Sequence, residues 1–166
     1  MMTAHPPLSQ ENWHELKRVV VEKRHWQNRL EDATCLVANR AEVDVCSVYL
    51  REEPGSQLVL RATVGLRQSS VGKLAMQFDE GLVGLVAQTQ RPLAVENAPA
   101  HPRFKYFAEA DEDAYHSFLG VPVLLGGQVR GVLVVQTIEP RRFSIEEANV
   151  LREVAKNFAA ILRDAC

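Results

Sequence analysis

The chain lacks most of the features that would assign it a chemistry. Cysteine is scarce: Cys35, Cys46 and Cys166 are an odd, widely spaced set, with neither CxxC spacing nor the even count of a disulfide framework. In apolar contexts, Cys35 and Cys46 read as small buried residues, and the set suits a reduced, cytoplasmic compartment. No apolar run approaches the roughly 18 residues of a membrane-spanning helix. The first residues, MMTAHPPLSQENW, carry no basic and apolar signal region. Charge of one sign is also missing. A formal net charge of −2 over 166 residues gives no general attraction to nucleic acid or an anionic membrane. Arg141-Arg142 is too short a basic patch to change that.

The motifs of catalysis are absent as well. The five histidines form no HExxH or HxxxH pattern, which argues against a metal site. Ser47, Ser117 and Ser144 lie in no GxSxG elbow, so no nucleophile is named and no catalytic residue is expected. Asp79-Glu-Gly-Leu-Val-Gly84 has glycines before a helix, but neither GxGxxG nor GK[ST], and its two carboxylates would repel a phosphate. It reads instead as a tight strand-to-helix turn with exposed amides beside a pocket, with Asp79 as the helix cap.

What is present is a sheet. Ser117 to Thr137 reads as two strands about a turn at Gly126-Gly127, since a two-residue hairpin turn needs positive φ at both positions. Pairing about that turn sets Leu125 against Gln128, Pro122 against Gly131 and Ser117 against Gln136. One face would then carry Phe118, Gly120, Pro122 and Leu124 with Val129, Gly131, Leu133, Val135 and Thr137, suited to cover by helices. The other would carry Leu119, Val121 and Val123 with Val132 and Val134. It would end in the facing polar groups Ser117 and Gln136, as a small-molecule pocket would require or as two groups solvated at the sheet's rim.

In chain order, Pro6-Pro7 opens a loose terminus. A helix is expected from Ser9 to about Leu30, and another from about Arg29 to Ala41, as two helices or one bent one. Strands follow at Asp44–Leu50 and Gln57–Val64 around a turn at residues 52–56, then at 73–78 and 92–96 with a helix between them. Residues 97–115 are irregular, yet Phe104, Tyr106 and Phe107 are too apolar for a free loop. With Lys105 they suggest a lid over a small molecule, or only a well-anchored loop. The run Glu109 to Asp113 reads as solvated. Ser144 and Glu147 form a capping box for the last helix. That helix carries two apolar stripes, Ala148/Leu151/Ala155/Phe158/Leu162 and Val150/Val154/Ile161, enough to cover the sheet and meet another helix, within the chain or from a second subunit. The order of elements indicates an α+β domain with a largely antiparallel sheet.

Taken together, VCSVYL at 45–50, RATVGL at 61–66, FDEGLVGLVA at 78–87, HPRFKYF at 101–107 and FLGVPVLLGGQVRGVLVVQ at 118–136 resemble the GAF family. More narrowly, they are similar to the GAF domains that begin the nitrogen-branch phosphoenolpyruvate–protein phosphotransferases. The resemblance spans about Arg29 to Leu162, dividing the chain into an N-terminal tail and helix (1–28) and a GAF domain (29–166). It implies a six-stranded antiparallel sheet with the N- and C-terminal helices on one face and a lidded pocket on the other. It also implies dimerisation through terminal helices and a regulatory role without a cofactor, sensing nitrogen status through glutamine or a related metabolite. Phosphotransferase domains, in cis or in trans, would be what it controls. The expected ligand-binding residues are Phe78, Glu80, Gly81, Phe104, Lys105, Tyr106, Ser117 and Gln136. Two other readings are a ligand-free dimerisation module and a small redox enzyme. Free methionine sulfoxide reductases of the same fold use cysteines in pocket loops, and here residues 65–73 and 97–116 contain none.

Overall fold

The computed structural model describes residues 8–11, 13–53, 56–107 and 115–165. The expectations for Pro6-Pro7, for Pro54 and Gly55 of the first hairpin turn, for Glu109 to Asp113 and for Cys166 lie outside them. The elements run α1 (His14–Val21), α2 (Trp26–Ala41), β1 (Val45–Glu52), β2 (Gln57–Val64), β3 (Ala75–Met76), α3 (Gly81–Thr89), β4 (Leu93–Val95), β5 (Ser117–Leu125), β6 (Gln128–Thr137) and α4 (Ile145–Leu162). The six strands form one sheet in the order β3-β2-β1-β6-β5-β4, with every neighbouring pair antiparallel.

The segment before β1 is two helices. The guanidinium of Arg29, 2% exposed, holds the break between them. It donates from Nη1 to the Val20 carbonyl at 2.8 Å and from Nε to the Arg24 carbonyl at 3.0 Å, and pairs with Asp164 beyond α4. The Val20 carbonyl near the end of α1, which no continuing helix satisfies, thus meets a fixed cation. Ser9 does not start α1. Its hydroxyl accepts from Glu11 N–H instead, and α1 begins at His14.

α1, α2 and α4 cover one face of the sheet, where Cys46, Val48, Leu119, Val121, Val123, Leu133 and Val135 meet Leu16, Leu30, Val37, Leu151 and Phe158. Both apolar stripes of α4 are consumed inside the chain: Val150, Val154 and Ile161 are buried in this same core, against α1 and α2. The capping box is formed as expected, with Ser144 Oγ accepting from Glu147 N–H and the Glu147 carboxylate accepting from Ser144 N–H. Cys46 is buried, but Cys35 is exposed on α2, contrary to its apolar sequence context.

The second face carries Val45, Tyr49, Leu58, Leu60, Phe118, Val132 and Val134, covered by α3 and the 98–107 segment. The hairpin turn is where expected, with Gly126 and Gly127 at φ +60° and +79° and Leu125 opposite Gln128. The register beyond it differs. Leu124 faces Val129 and Val123 faces Gly131, so Arg130 is an extra, bulged residue. One inserted residue exchanges every later partner. Pro122 therefore faces Val132, Ser117 faces Thr137, and Phe118 faces Gln136. The two expected face sets are mixed: Leu119, Val121 and Val123 lie with Leu133 and Val135 under the helices, and Ser117 and Gln136 are no longer a facing pair.

Candidate functional site

On the α3 side of the sheet a small chamber is enclosed by Tyr49, Phe118 and Gln136 from the strands, Met76 from β3, and Gly81, Leu82 and Val83 from the start of α3. Ala98, Phe104, Lys105 and Phe107 close it from the loop. Its volume is about 20 Å³, room for about one water molecule. The walls are mostly apolar, with polar groups from Tyr49, Lys105 and Gln136; Gln136 is 5% exposed, and its side-chain amide has no hydrogen-bond partner among the described residues. A buried amide is ordinarily bonded, so this one has both donor and acceptor capacity to offer the chamber.

Gly81 turns the chain into α3 at φ +68°, a conformation that disfavours any side chain, and Lys105 lies close to it. The residue capping α3 is Glu80 rather than Asp79, and its carboxylate does not bond the helix. It accepts from Gln77 N–H at 3.1 Å and pairs with Lys105. The Lys105 hydrogen bond holds the Glu80 carboxyl below its ordinary range; partial burial opposes this and the Gln77 N–H adds to it. Lys105 Nζ also sits 5.2 Å from the Phe107 ring centroid. Arg103 donates to the Asp79 carbonyl at 2.6 Å, and Tyr115 donates to the Gly65 carbonyl at 2.9 Å. The loop over the chamber is therefore latched to the α3 turn by charge and pinned at its far end by a phenol.

Of the eight residues expected at a site, four converge on this chamber: Gly81, Phe104, Lys105 and Gln136. Glu80 stands behind them through Lys105. Phe78 lies elsewhere, with the Arg51 guanidinium 4.6 Å over its ring. Tyr106 is 47% exposed and lines no part of the chamber. Ser117 is buried and fully bonded, donating to the Glu96 carbonyl at 2.9 Å and accepting from Arg141 N–H. The bulge at Arg130 explains that last placement. Tyr49 and Phe118 also line the chamber, outside the expected set. Tyr49 carries a phenol in an otherwise apolar strand, whereas an unbulged register sets Phe118 on the opposite face from Gln136. Among the described residues no group of three His, Cys, Asp or Glu side chains is placed to hold a metal, and no helix is long and apolar enough to cross a membrane.

The sequence profile of the GAF domain matches residues 25–162. The chain belongs to the GAF family. It is 38% identical over 149 residues to a phosphoenolpyruvate-dependent phosphotransferase system protein of Salmonella typhimurium, a match covering 87% of this chain and 20% of that protein. It thus spans about a fifth of the length of the curated relatives it matches. The GAF domain from a phosphoenolpyruvate-protein phosphotransferase of Coxiella burnetii superposes with a TM-score of 0.85 at 32% identity, over 92% of this chain and 90% of that one. A free methionine-R-sulfoxide reductase of Neisseria meningitidis superposes with a TM-score of 0.81 at 20% identity, over 99% and 98% of the two chains. That likeness is one of fold.

Proposed function

We propose that this GAF domain is a regulatory, non-catalytic sensor of a small metabolite, glutamine or a related nitrogen compound, and that it controls a phosphoenolpyruvate-dependent phosphotransferase attached to it or associated with it. The observation that carries the reading is the unpartnered amide of Gln136 in a small, largely apolar chamber. The chamber as it stands is too small for an amino acid, so entry requires Phe104 and Lys105 to swing out and the Glu80–Lys105 pair to open. A ligand that binds only the open arrangement shifts the population toward it. The family assignment and the phosphotransferase relatives support the regulatory setting. In this reading the domain works in the cytoplasm as a homodimer through its terminal helices, where Val21 and Ile145 present exposed aliphatic surface.

Titration calorimetry with glutamine, 2-oxoglutarate and cyclic nucleotides tests the proposal. Saturable heat with glutamine, lost in Gln136→Leu, is the expected result. Silence across the panel favours the second reading, a ligand-free structural module, which the small chamber volume and the half-buried Phe104 also favour. A redox enzyme has less in its favour, because Cys46 is fully buried with its thiol pKa pushed up by that burial, and Cys35 lies away from the chamber.

A further inference from the structure

A larger concavity of about 480 Å³ is lined by residues from the start of α2, the end of β1, β2, the start of β6 and the turn after α4. That volume is in the range of small-molecule sites. Its distinguishing feature is three arginines, Arg51, Arg61 and Arg130, beside the half-buried Trp26 and the apolar Leu50 and Leu162. Two of the three are bulge residues. In the β1–β2 ladder Val48 faces Ala62 and Tyr49 faces Leu60, which leaves Arg61 as the extra residue. In the β5–β6 ladder the extra residue is Arg130. A bulge bends its strand and re-aims a side chain, and here a bulge on each of the two strands flanking β1 supplies an arginine to the same groove.

The charges do not cancel. Arg61 is engaged by both oxygens of Glu52. Among the described residues neither Arg51 nor Arg130 has a carboxylate partner. Arg51 donates to Ser56 Oγ at 3.3 Å and stacks over the Phe78 ring, and its Nε is buried without a hydrogen-bond partner. A buried donor left unbonded is a cost that a bound acceptor would remove. Two unneutralised guanidiniums match the charge of about −1.5 to −2 on a phosphate monoester, and the guanidinium fork fits its oxygens.

We propose that this groove is an anion site for a small organic phosphate monoester, with the phosphate on Arg51 and Arg130 and its carbon body against Trp26, Leu50 and Leu162. The site is separate from the chamber at Gln136 and stands or falls independently of metabolite sensing there.

The test is an NMR titration of the isotopically labelled chain with phenyl phosphate, using benzyl alcohol as the uncharged control. Expected are saturable shifts at the Trp26 indole and at the amides of Arg51, Glu52 and Arg130, with none from benzyl alcohol. Arg130→Gln should bind at least about tenfold more weakly, while Arg152→Gln, on the exposed side of α4, should bind as the parent does. Added potassium chloride should weaken binding to the unaltered chain, which keeps the test decisive if Arg130→Gln fails to fold. Absence of saturation by about 10 mM, salt-independent binding, a folded Arg130→Gln with unchanged affinity, or shifts centred on Gln136 and Phe104 would each overturn the proposal.

Discussion

Glu147 joins three parts of the chain, and its removal has a calculable effect. Its Oε2 accepts from Leu8 N–H at 3.0 Å and from Arg141 Nη2 at 2.8 Å, while Oε1 accepts from Ser144 N–H at 3.1 Å. Arg141 in turn donates to the Ala41 carbonyl at 3.1 Å, linking the end of α2 to the start of α4. The two side chains are 5% and 8% exposed. Glu147→Ala removes the carboxylate paired with the buried Arg141 and leaves two backbone donors without their acceptor. Breaking a buried pair in this way costs about 3–5 kcal/mol. For a domain of this size each kcal/mol moves the melting temperature by about 2–4 °C, so a loss of roughly 6–20 °C is expected in calorimetric or circular-dichroism melts. Arg141→Met combined with Glu147→Met should recover much of it, since no charge is then left buried alone. The pH dependence has a definite sign. Burial pushes the Glu147 carboxyl up, but the hydrogen bonds from Leu8, Ser144 and Arg141 outweigh it and hold the folded value below the ordinary 4.5. Between those two values the unfolded chain carries a proton that the folded chain does not. The contribution is therefore fully present above about pH 4.5 and disappears as pH falls through the folded value. Glu147→Gln should be less stable than the parent at pH 7, and the gap should narrow below about pH 4.5. A Glu147→Ala loss under about 1 kcal/mol, or a gap that stays constant into acid, refutes the account.

Two further outcomes follow from the geometry. Gly131→Ala would set a Cβ against the Tyr49 carbonyl oxygen in the middle of the sheet. It should cost about 1–3 kcal/mol or more in urea unfolding, and a neutral result would mean that β1 and β6 can move apart freely. Lys105→Ala should raise the Glu80 pKa toward its ordinary value, because the Lys105 hydrogen bond is the largest influence lowering it. Carboxyl-carbon NMR titration reads this directly, and an unchanged Glu80 would show that the latch does not form in solution.

Much of the fold was legible because its signals are local. Ser144 and Glu147 lie three residues apart and cap α4 whatever surrounds them. The Gly126-Gly127 pair admits the backbone angles of a tight turn that other residues resist. The site was legible only in part. Gly81, Phe104 and Lys105 were marked by their types in an otherwise irregular stretch, but Ser117 and Gln136 were paired by counting from the turn. That count holds only while every residue stays in the ladder. Arg130 leaves it, so Gln136 reaches the chamber with Phe118 opposite, and Ser117 bonds to Glu96 and Arg141 instead. Likewise the second stripe on α4 was visible, but the α1 and α2 helices of the same chain bury it.

The amino-acid order alone determined most of the elements, their sequence along the chain, the hairpin turn and the α4 cap, because each depends on the angles and hydrogen bonds of a few adjacent residues; the break between α1 and α2 needed the Arg29 contacts. Tertiary structure alone decided which face each strand residue took and where the arginines went. Those outcomes depend on single-residue bulges at Arg61 and Arg130, where the packing of two unlike cores against one sheet outweighs the regular alternation of either strand.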